Sequence, residues 1–115
     1  MEKMHRQGDL LFVQIAGTKL EGIETTDVTD GVLARGESTG HAHRIAPEDL
    51  RAGKAKAYVM DDMMEMEEPR RLVIEAYEQV RVLHEEHKPI VLERGTYEVR
   101  RQREATPTEI RYVAD

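Results

Sequence analysis

The feature that most limits this fold is a succession of short apolar runs, each stopped by glycine, proline or charge. "DLLFVQI" (Asp9 to Ile15) lies between Gly8 and Gly17. "GVLARGE", "HAHRI" and "KAYVM" follow. "RRLVIEAY" comes after Pro69, then "QVRVLH", and "PIVLE" leads through Gly95 into "TYEVRRQRE". Runs this short and rich in β-branched residues suit strands rather than helices. They predict seven or eight strands, hence an all-β sandwich or barrel rather than a parallel α/β sheet. Two segments predict short helical turns. "APEDLRAG" has an early Pro and a closing Gly, and the tail "TPTEIRYVAD" offers threonine caps with Glu109 just inside. "DDMMEMEEP" (Asp61 to Pro69) lacks the glycine and alternating oxygens of an EF-hand, so a solvated hairpin loop is expected there.

A chain of 115 residues is of single-domain length, and one domain over residues 1–115 is expected. With one Phe, four Tyr and no Trp, its core must be mostly aliphatic. The net charge of −6 argues against general nucleic-acid binding, which needs a concentrated positive surface. Cysteine is absent, so no thiolate is available as ligand or nucleophile. "MEKMHRQGDL" has no apolar run behind a basic start, and no stretch approaches the ~18 apolar residues of a membrane span. These features predict a cytoplasmic protein with no membrane association.

Four of the five histidines fall in two stretches, "GESTGHAHRI" and "HEEHKPI". In a strand, His41 and His43 point to one face, and their imidazoles can reach a single ion. Val80, Val82 and His84 share the inner face of "QVRVLHEEH" by the same count. An inward imidazole needs a partner, and a metal shared with His41 and His43 would supply one. Strict alternation sends His87 to the opposite face, unless a turn at "EEHKP" brings it back. His5 lies outside both stretches and reads as a surface residue.

Together these residues resemble the cupins. In "GESTGHAHRIAPEDLRAG", Gly36, His41, His43, Glu48 and Gly53 approximate the first cupin motif. "VLHEEHKP" would supply the distant histidine, as His84 or His87. The resemblance implies a small, single cupin-like β-barrel or sandwich with a metal held by the HxH pair, a distant His and often a Glu. Glu48 also has an ordinary explanation at a helix start. The Pro and Gly that usually precede the last His are missing; Pro89 and Gly95 follow it instead. The wider pattern, from "RQGDLLFV" to "GTYEVRRQRE", is also similar to small bacterial proteins of no known function.

The ligand set read from the sequence is His41, His43, His84 and His87. Nitrogen donors of this kind suit Zn, Fe, Ni or Cu better than Mg or Ca. Four would close a structural site, whereas three would leave a position for a substrate. A metal-dependent enzyme acting on a small molecule is one expectation, with Glu85 or Glu86 as general base. A non-catalytic module stapled by the metal is the rival. A metal-free, pH-sensitive cluster is the third reading. Arg101, on the Tyr97 and Val99 face of its strand, either binds a substrate carboxylate or phosphate or pairs with a neighbouring acid. "DLLFVQI" and "YEVRRQRE", read as terminal edge strands, predict a homo-oligomer.

Overall fold

Antiparallel pairing absorbs almost every apolar run. A computed structural model describes residues 4–17, 24–35, 40–61, 70–101, 103–105 and 110–112. Its strands are β1 (Met4–Gln7), β2 (Leu10–Ile15), β3 (Glu24–Asp27), β4 (Val32–Arg35) and β5 (Ala42–Ile45). After helix α1 (Pro47–Arg51) come β6 (Ala55–Asp61), β7 (Arg70–Ala76), β8 (Val80–Leu83), β9 (Ile90–Leu92) and β10 (Gly95–Arg101). β11 (Arg103–Ala105) and β12 (Ile110–Tyr112) pair with each other.

One sheet runs β1-β2-β10-β7-β6-β3 and the other β4-β5-β8-β9. They face each other as a sandwich. Phe12, Ile74, Ala57 and Tyr97 from the first sheet and Leu33, Ile45, Val80, Val82 and Leu92 from the second share one core. Period-two alternation decides which residues enter it. On β10, Tyr97 and Val99 face this core, while Glu98 takes the opposite face. That outer face is also partly apolar, with Tyr58, Met60 and Val73 buried together.

α1 takes Pro47 in its first turn, as expected. Its Asp49 fastens it to β8. The Asp49 Oδ2 accepts the Arg81 backbone N–H at 2.9 Å and Arg81 Nε at 3.3 Å, while the Ala46 N–H donates to the Arg81 carbonyl at 2.9 Å.

The architecture is all-β as expected, and of the two forms anticipated it is the sandwich, built from two open sheets, rather than the barrel. Three expectations need correction. There are more strands than expected, because "MHRQ" and "ETTD" pair as β1 and β3 despite their polarity. The terminal runs are not edges: β2 lies between β1 and β10, and β10 between β2 and β7. The tail holds strand β12 over residues where a helix was expected, because its ladder with β11 outweighs local helix signals. Residues 62–69, the expected acidic loop, lie outside the described residues, although β6 and β7 on either side of them pair as Asp61 opposite Arg70. No helix among the described residues is long and apolar enough to cross a membrane.

Candidate functional site

The two histidine stretches meet where the sheets adjoin. β5 brings His43 inward, fully buried, with His41 just before the strand and partly exposed. β8 ends at Leu83, and His84 continues its inner face, as alternation predicts. The chain then bends through residues 85–87, which returns His87 to the same side. Ring centroids are 4.4 Å apart for His43 and His84, 4.6 Å for His84 and His87, and 5.6 Å for His41 and His84. His43 and His87 are 6.2 Å apart and nearly parallel. All four residues of the sequence-derived ligand set are thus brought together.

The bend has a local cause. His84 Nδ1 accepts the backbone N–H of Glu86 at 3.1 Å and that of His87 at 3.3 Å. The ring caps its own turn, much as an Asx side chain does. A neutral His84 with Nδ1 as acceptor carries its proton on Nε2.

His43 has the opposite tautomer, and Gln7 sets it. The Gln7 Nε2 donates to the carbonyls of Val82 and Lys88, both at 2.9 Å. Both amide hydrogens are therefore used, and Oε1 can only accept. It takes the His43 Nδ1–H at 2.9 Å, which leaves the lone pair of a neutral His43 on Nε2. That nitrogen stands 3.4 Å from Asp9 Oδ1.

Gln7 ends β1 at a hairpin whose two loop residues are Gly8 and Asp9. Gly8 has φ +59°, the Gly-first pattern of tight hairpins. The missing side chain matters as much as the dihedral. A Cβ at Gly8 would lie 2.7 Å from His87 Nε2 and 3.3 Å from His43 Cε1. Position 8 must be bare for the cluster to close. His87 Nε2 is buried there with no hydrogen-bond partner among the described residues.

Arg101 meets an acid within the chain. Its Nε forms an ion pair with Asp9 Oδ2 at 3.0 Å, and its Nη2 donates to the Arg35 carbonyl at 3.4 Å. Of the two candidate bases, Glu85 is engaged elsewhere: it accepts the Ala42 N–H at 2.9 Å and Arg44 Nη2 at 3.1 Å. These contacts hold its carboxyl below the usual range, the Ala42 hydrogen bond foremost. Glu86 Oε1 faces His41 Nδ1 at 3.4 Å, on the exposed rim. Glu48, which the cupin resemblance would enlist, instead accepts from Arg81 Nη2 at 3.0 Å on the surface of α1. His5 is not the surface residue expected. It lies half-buried on β1, 6.2 Å edge-on from Tyr97.

Sequence reasoning missed Gln7, Gly8 and Asp9. "QGD" read as punctuation before an apolar strand; only the hairpin turns it toward the histidines. Among the described residues, no three His, Asp or Glu side chains are already arranged to hold a metal ion. The donors instead stand in pairs, His43 with Asp9 and His41 with Glu86.

No curated protein and no solved structure matches this chain. Residues 6–102, which take in Gln7, Asp9 and all four paired histidines, match a family described as a domain of unknown function (DUF8820), and the chain belongs to that family.

Proposed function

We propose that this is a metal-binding, cupin-like protein, holding one divalent transition ion (Zn, Fe, Ni or Cu) in the cluster of His41, His43, His84 and His87. One observation carries the reading: two distant histidine pairs converge at a partly buried point, with ring centroids as close as 4.4 Å. Crowding buried imidazoles is costly without a shared cation or matched hydrogen bonds.

The residues fit such an ion unequally. His43 fits as it stands, since an outer partner on Nδ1, with the lone pair of the neutral ring on Nε2, is the usual arrangement of a ligating histidine. His84 fits only if its ring turns over and gives up two backbone hydrogen bonds. Each costs about 1 kcal/mol net, against roughly 10–16 kcal/mol for structural Zn²⁺ in small domains. When bound, the ion would cross-link side chains or polarise an oxygen of a small ligand.

Gln7 on β1 of one sheet holds His43 on β5 of the other, which supports the non-catalytic role, a staple between sheets. The enzyme reading draws support from the rim, where His41 and Glu86 stand together and partly exposed. The acidic chain and its lack of Cys suit a cytoplasmic protein that takes a small molecule rather than nucleic acid. Homo-oligomer formation is part of the proposal. β1 and β9 are edge strands that meet at one flank, with Met4 and Val91 exposed on them.

Metal analysis of untagged protein tests the reading. About one ion per chain is expected, lost in His43→Ala. An ion with an exchangeable water would favour the enzyme, and unfolding on chelation would favour the staple. A metal-free protein with no affinity for any of the four ions would end the proposal. Light scattering at micromolar concentration tests assembly, and a monomeric mass would refute that part.

A further inference from the structure

We infer that Asp9 and His43 form a carboxylate–imidazole ligand pair for one divalent cation, with Gln7 and Arg101 as the residues that position them. The inference rests on the metal-binding reading and adds to it a ligand that is not a histidine.

The argument begins with the fixed tautomer. Because Gln7 can only accept at Oε1, His43 holds its proton on Nδ1 and directs a lone pair from Nε2. A carboxylate oxygen, Asp9 Oδ1, stands 3.4 Å from that nitrogen. An imidazole lone pair and a carboxylate oxygen this close repel unless a cation or a proton lies between them. The separation is longer than the 2.7–3.2 Å usual for an N–H···O hydrogen bond. It is the separation of two ligand atoms that share an ion. Donors each about 2.0–2.2 Å from a tetrahedral metal stand roughly 3.4 Å apart.

Both side chains are held for this. His43 is fully buried, and the Asp9 side chain is only 4% exposed. Arg101 engages the other carboxylate oxygen, Oδ2, at 3.0 Å, which turns Oδ1 toward His43. Gly8, between Gln7 and Asp9, leaves the space in which His87 Nε2 approaches the same hairpin. One imidazole nitrogen and one carboxylate oxygen favour a borderline divalent ion such as Zn²⁺ or Fe²⁺ over Cu⁺, which prefers sulfur. The competing account is a proton: a doubly protonated His43 forming an ion pair with Asp9.

The experiment uses the full chain, stripped of metal, with Zn²⁺ as the probe. Long-range ¹H–¹⁵N spectra of the metal-free protein at neutral pH should show His43 protonated at Nδ1 alone. One equivalent of Zn²⁺ should shift His43 Nε2 and the Asp9 carboxyl carbon together. By calorimetry, Asp9→Asn should weaken Zn²⁺ binding at least tenfold, and Glu48→Gln should leave it within twofold. Gln7→Leu should mix the His43 tautomers and weaken binding. If Asp9→Asn does not fold, the shift of the wild-type carboxyl carbon decides alone. If Asp9→Asn binds Zn²⁺ like the wild type while His43→Ala does not, the inference falls and the metal reading stands. If the wild type binds none of Zn²⁺, Fe²⁺, Ni²⁺ and Cu²⁺, both fall. A doubly protonated His43 whose signals ignore Zn²⁺ would establish the ion pair instead.

Discussion

Gly8 and His87 are fitted to each other: a Cβ on Gly8 would lie 2.7 Å from His87 Nε2. Gly8→Ala should therefore harm the protein twice. An alanine at φ +59° costs about 1–2 kcal/mol, and its methyl must push the ring away. A total of about 2 kcal/mol or more is expected, or a fall in Tm of roughly 8 °C at ~4 °C per kcal/mol. Thermal unfolding followed by circular dichroism measures it. An unchanged Tm would mean that the hairpin does not hold this conformation.

Period-two counting made much of this site legible. It placed Val80, Val82 and His84 on one face, and it separated Tyr97 and Val99 from Glu98. It could not place His87, whose position depends on a turn capped by the His84 ring. Strand order was hidden for a different reason. "MHRQ" has no apolar alternation, yet it shields β2 from the edge by ladder hydrogen bonds that any sequence can make. Asp9 and Gln7 were invisible because their role depends on a long-range meeting with β5 and the end of β8. The pairing of Arg101 with an acid was foreseeable in kind, but the identity of that acid was not.

Asp49 should prove the main fastening of α1. A five-residue helix has little stability of its own. Asp49→Ala removes the acceptor for the Arg81 N–H and Nε and weakens the contact with Lys54, 3.8 Å away. A loss of about 1–3 kcal/mol is expected, measured by urea unfolding. Glu48→Ala, which loses only an exposed pair with Arg81, should cost less than 1 kcal/mol. Equal losses would show that Asp49 has no special place.

The acid limb of stability should depend on Glu98. Burial pushes its carboxyl up, but hydrogen bonds and charge from Arg100 and Arg71 outweigh burial and hold it below the usual range. A depressed folded value sets the sign. Above the ordinary carboxyl range of about 4, both states are ionised and the stabilisation is complete. As pH falls through that range, the unfolded chain takes up its proton first and stability declines, until the folded carboxyl protonates too. Asp49 acts in the same direction, since burial raises its carboxyl less than Arg81 lowers it. Glu98→Gln should cost about 1–2 kcal/mol at neutral pH. The gap from wild type should narrow on acidification from pH 5 toward 2. A gap that stays constant with pH would reject this account.

Zn²⁺ should stabilise the whole protein while loosening one turn. A ligand that binds only the folded state adds about 2.7 kcal/mol at a hundred times its Kd. Tm should rise accordingly and fall back on chelation. Ligation through His84 Nε2, however, requires the proton to leave that nitrogen, and Nδ1 must then become a donor. Nδ1 now accepts the amides of Glu86 and His87, so those two hydrogen bonds must break when the ring turns over. Amide exchange at Glu86 and His87 should therefore accelerate with Zn²⁺, while exchange at core positions such as Val80 and Val82 slows. Hydrogen exchange read residue by residue by NMR resolves the two effects. If Zn²⁺ raises Tm but protects Glu86 and His87 as well, His84 remains the cap of its turn, and the ion is held by the other donors.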